Sequence, residues 1–347
     1  MDFRDYLREQ AELHPAMKPQ DAMKMIYQAS FGAEHLLEDE EAARNYLIQE
    51  LEQVPATTRI PLFEDISEDM CRVNLGAWKG KGLPADWLFK IFALSASEHK
   101  NGEETFVKLL EEADDAAARG WLEFTHEEWQ AYKKEYLKDG IRAVHHSVSY
   151  RKAEAPAYRL AARCFCRLAP VLEKAAGHGP AVIAIDGRAA SGKTTMAGAL
   201  RLILDGSVIR MDDFFLPPEL RTEDRLSQPG GNVHYERFAE EVIPHLGRGE
   251  AFSYRRFDCS RMALDDREVI VPLSPWQIVE GSYSHHPELG DYADIKVFSD
   301  VDAGTQMERI LIRNGEEMAE IFRSRWIPLE EEYFSTYKIA EAADVKV

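Results

Sequence analysis

Two hydrophobic rhythms divide the chain. As far as about residue 175, apolar residues recur mostly at helical intervals. Residues 21–31 place Met25, Ile26 and Ala29 on one helical face. A second apolar-rich helical stretch, residues 86–94, follows Pro84. Thr125-His-Glu-Glu128 has the form of a capping box, in which a hydroxyl and a carboxylate satisfy the free amides of a first helical turn. Trp129, Tyr132 and Tyr136 continue that helix, and Asp139-Gly140 stops it. Pro156 is predicted to start another, running through Leu160, Cys164, Leu168 and Leu172. Gly177-His-Gly-Pro180 then interrupts the rhythm. Beyond it come short continuous apolar runs at residues 181–185, 207–211, 276–279 and 295–298. Such runs suit strands buried on both faces, and helical patterns separate several of them. The expectation is a mostly α-helical domain over residues 1–176, then an α/β domain over 177–347 with a parallel sheet and flanking helices.

Composition narrows the class. Of 347 residues, 42 are Lys or Arg and 61 are Asp or Glu, a net charge of −19. A surface this acidic repels phosphate backbones, so nucleic acid is not the expected partner. With 45% apolar residues there is ample material for a core. The first residues are charged, and no stretch approaches the roughly 20 apolar residues of a membrane span. Cys71, Cys164, Cys166 and Cys259 form neither a disulfide framework nor a C-x-x-C pair, which points to a reducing, cytoplasmic setting. Self-association is left open.

The strongest chemical signal is Gly187-Arg188-Ala189-Ala190-Ser191-Gly192-Lys193-Thr194, followed by Thr195, a full G-x-x-x-x-G-K-[ST] match. It follows an apolar strand and precedes a helix starting near Thr194 and running through Met196, Ala199 and Leu200. Glycines let backbone amides wrap a phosphate, and the helix N-terminus attracts the anion. Lys193 adds a point charge for the β- and γ-phosphates, and the Thr194 hydroxyl suits Mg²⁺. Two acids fall where strands end. Asp212 follows the second run, where a carboxylate can accept a hydroxyl proton or support Mg²⁺. Glu280 closes the third, in Ile278-Val-Glu-Gly281, and suits a role supporting Mg²⁺. Each could instead be a capping or solvent-facing acid.

Several segments then occur in a telling order. They are Asp212-Asp-Phe-Phe, Asn232-Val-His-Tyr-Glu-Arg-Phe238, Tyr254-Arg-Arg-Phe-Asp-Cys-Ser-Arg261, Val279-Glu-Gly-Ser-Tyr283 and a helix with Arg309 and Arg313. Over residues 180–347 the chain resembles the uridine kinase family, in the wider group with nicotinamide riboside kinases, pantothenate kinases and phosphoribulokinases. The resemblance implies a P-loop kinase fold, with ATP and Mg²⁺ as cofactors and a small-molecule acceptor. It implies Asp212 as general base, Thr194 and Glu280 with Asp212 around Mg²⁺, and Tyr254 and Arg261 near the acceptor. It also implies a lid whose Arg309 and Arg313, four residues apart and so on one helical face, neutralise the transferring phosphoryl group. Arg323 and Arg325 follow in the same stretch. The chain departs from the nucleoside kinase pattern at His234 and Cys259, two positions that contact the nucleoside in that family.

The amino-terminal half carries no reaction motif. Its clusters are Phe31-Gly-Ala-Glu-His35 and His145-His146-Ser147-Val-Ser-Tyr150-Arg151 with Tyr158-Arg159 and Arg72. These are either helix-end packing or donors for recognising the acceptor or a regulator. The reading is an ATP-dependent phosphotransferase acting on a hydroxyl of a small, nucleoside-like metabolite. Its rival is an ATP-binding regulatory protein whose helical domain signals nucleotide occupancy. A GTPase fits poorly, since no N-K-x-D segment is present.

Overall fold

The computed structural model describes residues 2–32, 39–96 and 102–347. Ala33, Glu34 and His35 of the first amino-terminal cluster lie outside the described residues. The chain forms two compact units, Met1–Arg167 and Leu168–Val347. The division falls ahead of Gly177 because the helix Ala169–His178, which contains that glycine, packs on the sheet of the second unit.

The first unit contains helices α1 (Phe3–Leu13), α2 (Pro19–Phe31), α3 (Glu40–Gln53), α4 (Leu75–Gly80), α5 (Ala85–Ala96), α6 (Gly102–Ala118), α7 (His126–Leu137) and α8 (Val148–Glu154). The α2 face holding Met25, Ile26 and Ala29 is buried, as the spacing requires, and packs on α6 and α7. The capping box at Thr125 and Glu128 forms in both directions at the start of α7. An antiparallel sheet of β1 (Phe63–Asp65), β2 (Met70–Asn74) and β3 (Tyr158–Ala162) was not expected. The helix predicted from Pro156 is instead β3, then a short 3-10 segment, then α9 (Ala169–His178). The reason is pairing at long range. Residues from Tyr158 to Ala162 match Asn74 to Met70 across the ladder, while Cys164, needed on the buried face of a helix, is exposed. Tertiary pairing overrides helical spacing here.

The second unit continues with β4 (Val182–Gly187), α10 (Lys193–Leu204), β5 (Ser207–Arg210), α11 (Glu223–Leu226), α12 (Tyr235–Glu241), β6 (Phe252–Asp258), β7 (Ala263–Val271), β8 (Gln277–Glu280), β9 (Ile295–Ser299), α13 (Ala303–Ile321), α14 (Ile327–Tyr337), α15 (Ile339–Ala342) and β10 (Val345–Lys346). The main sheet has five strands in the order β10-β9-β4-β8-β5, all parallel. This is an α/β fold with flanking helices, and all six residues of β4 are buried. β6 and β7 make a separate antiparallel hairpin. The register sets Ile185, Glu280 and Arg210 level across three adjacent strands. The carboxyl ends of β4, β8 and β5 therefore open together, where open α/β sheets place their ligands.

Candidate active site

Gly187 ends β4 and Lys193 begins α10, so the glycine-rich segment is the turn from a central strand into a helix. Gly187 has φ 140°, and a Cβ there would lie 2.0 Å from the Ser299 carbonyl oxygen of β9. Gly192 takes the left-handed conformation at the N-cap, and no side chain caps α10. The positive end of a 12-residue helix is thus left without a side-chain acceptor, as an anion site requires. Lys193 is buried and donates from Nζ to the carbonyl oxygens of Gly187 (2.6 Å) and Arg188 (2.8 Å). Among the described residues no carboxylate neutralises it. The buried Ser191 hydroxyl has no hydrogen-bond partner. Thr194 and Thr195 are exposed in the first turn. An unneutralised ammonium, an uncapped helix and an orphan hydroxyl fit a bound phosphate chain.

The loop is held from outside by three side chains that sequence reasoning had not placed together. Glu330 of α14 accepts the Ala189 N–H (2.9 Å) and the Ser282 hydroxyl (2.7 Å). Gln306 and Arg309 of α13 donate to the carbonyls of Ala189 and Ala190, each at 3.1 Å. Arg188 directs its guanidinium to Asp300 (2.7 Å) and Glu331, so its side chain clamps the loop while its backbone serves the site.

The acids converge. The Thr194 hydroxyl donates to Glu280 Oε2 at 3.1 Å. Asp212 lies in a single 3-10 turn, Met211–Phe214, directly after β5. Asp212 is exposed to solvent, yet neighbouring protein atoms crowd its carboxylate. Burial pushes its pKa up, against the pull of Lys193 and with help from Asp213. Glu280 is pushed up first by burial and then by the charge of Asp212, against Thr194 and Lys193. Two like charges beside a phosphate cradle are what a divalent cation relieves. No group of three His, Cys, Asp or Glu side chains disposed to hold a metal ion occurs among the described residues. Mg²⁺ takes one or two protein oxygens and fills its remaining positions with phosphate and water, and Thr194 and Glu280 offer such oxygens. Gly281 completes the corner. Its φ is 136°, and a Cβ would meet Met211 Cβ at 2.9 Å and Asp212 Oδ1 at 3.4 Å.

The remaining expected residues are placed unevenly. Arg313 is exposed on α13, donates to Asn314 Oδ1 (2.7 Å), and its charge lowers the Asp212 pKa. Tyr254 is buried in β6 and donates to Asp213 Oδ2 at 2.8 Å, so its hydroxyl serves the neighbouring acid. Arg261 sits at the exposed turn between β6 and β7, 3.9 Å from Asp266 of the same hairpin. Cys259 is also exposed there, and burial and the charge of Asp212 raise its thiol against Arg221. His234 heads α12, where its N–H donates to the Phe214 carbonyl (2.7 Å).

Two further residues were missed. Arg210, last in β5, lies 3.9 Å from Glu280 and lowers the pKa of both Glu280 and Asp212. Asp186 is fully buried and accepts from the amides of Gly187 (2.7 Å), Tyr283 (3.1 Å) and His285 (3.0 Å) and from the Tyr333 hydroxyl (2.8 Å). An acid in an otherwise apolar strand, just before Gly187, was the available signal for it.

Strand, glycine-rich loop, helix and two strand-end acids define the second unit as a P-loop nucleotide-binding domain. No family model matches the chain, and no curated protein matches it. Solved structures that resemble it over about half its length include two whose titles describe kinases. One is a possible uridine kinase from Bacillus stearothermophilus, 20% identical, covering 48% of this chain and 88% of that one at a TM-score of 0.38. Another is a candidate fructose transport system kinase from Silicibacter sp. TM1040, 22% identical, covering 52% and 96% at a TM-score of 0.40. Among the described residues no helix is long and apolar enough to cross a membrane.

Proposed function

We propose that the chain is an ATP- and Mg²⁺-dependent phosphotransferase that moves the γ-phosphoryl group of ATP to a hydroxyl of a small, nucleoside-like metabolite. The observation that carries this reading is the meeting of Thr194, Glu280 and Asp212 at the carboxyl ends of adjacent parallel strands, beside the unneutralised Lys193. The α10 N-terminus and Lys193 hold the phosphate chain. Thr194 and Glu280 would hold Mg²⁺, which when bound would supply charge neutralisation at the phosphates. Asp212 orients the acceptor hydroxyl and takes its proton. The hydroxyl oxygen bonds to the γ-phosphorus, the bond to the bridging oxygen breaks, and ADP leaves. Arg313, with Arg309 beside the loop, meets charge developing on the transferring group. Positioning and electrostatics carry most of such a reaction.

The test is ADP release with ATP and Mg²⁺ across uridine, cytidine, nicotinamide riboside, pantothenate and sugar phosphates. Acceptor-dependent release that Asp212→Asn abolishes supports the reading. Tight ATP binding with no acceptor-dependent release favours a regulatory nucleotide-binding protein.

A further inference from the structure

The first unit contains a cavity of about 780 Å³, within the size range of small-molecule sites. It is built by α2, the start of α3, the segment leading into α8, and β3. His145, His146, Arg151, Tyr158 and Arg159 of the unassigned His, Tyr and Arg clusters line it.

A hydrogen-bond chain ties the lining residues Gln28, His146 and Tyr158 to Asp21, Ser147 and Arg72. The Asp21 carboxylate accepts from the Ser147 N–H (2.8 Å), the Ser147 hydroxyl (2.6 Å) and the Lys18 N–H (2.9 Å), and lies 3.0 Å from His146 Nδ1. Burial holds His146 far below its ordinary range, at about 4, so the ring is neutral near pH 7. With Nδ1 protonated toward the carboxylate, Nε2 accepts from the Tyr158 hydroxyl at 2.7 Å. That hydroxyl accepts from Gln28 Nε2 (3.1 Å), and Gln28 Oε1 accepts from Arg72 (3.3 Å). Arg72 also stacks on the Tyr158 ring at 4.5 Å. These contacts fix the wall before any ligand arrives.

The charges do not balance in the same way. Arg159 is matched by Glu50 at 2.5 Å, and Asp39 is engaged in capping α3 through the Ala42 N–H. Lys24 and Arg151 are left over. Lys24 is half-buried and donates only to the Val144 carbonyl (3.3 Å). Its ammonium is drawn down to about 8, first by burial and then by repulsion from Arg72, with Arg151 adding to it and Asp21 opposing. The Arg151 side chain has no hydrogen-bond or ion-pair partner among the described residues. In a chain of net charge −19, two cations lining one cavity without an ion-pair partner among the described residues are a local exception. Tyr27, Tyr46 and Phe92 add flat apolar surface to the same cavity.

We propose that this cavity binds a small phosphomonoester, with its dianion on Lys24 and Arg151 and its ring or sugar body against Tyr27, Tyr46 and Phe92. Two cations from different elements match a dianion in charge, and arginine adds paired donors. All its lining residues belong to the first unit, and the proposal does not depend on what the P-loop does.

The test uses the full chain carrying Lys193→Ala, so that phosphate at the P-loop does not report. Inorganic phosphate, ribose 5-phosphate, adenosine 5′-monophosphate, ribose and succinate are titrated by calorimetry. Saturable binding of a phosphomonoester is expected, with ribose silent. Arg151→Gln and Lys24→Met should each weaken it about tenfold or more. Arg151 is exposed, so that variant keeps its fold, and circular dichroism checks both. Three results overturn the proposal: no saturable binding by any phosphate probe up to about 10 mM, unchanged affinity in folded Arg151→Gln and Lys24→Met proteins, or binding of succinate alone.

Discussion

The Thr194 hydroxyl donates to Glu280 Oε2 across 3.1 Å, joining the first turn of the P-loop helix to the end of β8. One residue comes from the glycine-rich motif and the other from a strand nearly ninety positions later. Parallel pairing of β4 with β8, which sets Ile185 opposite Glu280, brings them together.

If this pair supports Mg²⁺, Thr194→Val and Glu280→Gln should each weaken the metal requirement's midpoint by roughly 10- to 100-fold. Titrating Mg²⁺ at saturating ATP reads this directly. Unchanged midpoints in both variants would place the metal elsewhere.

Asp212 and Glu280 both have raised pKa values, chiefly through burial. Asp212 must be ionised to accept a proton, so the acid limb of turnover should lie above the ordinary carboxylate range and vanish with Asp212→Asn. Activity should fall about 10²- to 10⁴-fold in that variant. Stability runs the other way. A carboxyl with a folded pKa above its unfolded one favours the native state when protonated, and that contribution is lost as pH rises through the folded value. Asp212→Asn should therefore melt higher than the parent near pH 7, with the gap closing toward pH 4. Melting curves at the two pH values check the sign.

Gly281→Ala forces a side chain into φ 136° and toward Met211 Cβ at 2.9 Å. A stability loss of roughly 1–3 kcal/mol is expected. Because Asp212 Oδ1 is the next neighbour, turnover in the folded fraction should fall further than the unfolded population explains. Equal losses would show that Asp212 keeps its place.

Gly315 interrupts α13 at φ 78°, two residues after Arg313, with open space around it. Gly315→Ala meets no neighbour, so its cost is backbone strain of about 1–2 kcal/mol. If α13 carries a closing lid, kcat and KM should change together while ATP binding persists. Steady-state kinetics at 25 °C checks this, and unaltered constants would remove Gly315 from the lid.

The sheet of the second unit was legible because β4, β5, β8 and β9 are continuous apolar runs, and the P-loop because its motif is local. Asp212 and Glu280 were legible because each ends a run. What escaped depends on distance in sequence. β3 shows its pairing only through β2, some ninety residues earlier. The β6–β7 hairpin sets buried Phe252, Tyr254 and Phe257 among charged positions and an Ile270 that is 75% exposed, so no continuous apolar run announces it. Glu330 reaches Ala189 across 141 positions, with nothing around Glu330 in the sequence to mark it. Tyr254 was expected beside the acceptor, and only the fold shows its hydroxyl bonded to Asp213.

The most direct measurement is a single turnover with γ-labelled ATP, Mg²⁺ and an acceptor that stimulates ADP release. The account predicts that the label appears covalently on the acceptor hydroxyl, and that Asp212→Asn binds ATP but transfers none. Label appearing only as inorganic phosphate, or equal transfer by Asp212→Asn, would contradict it.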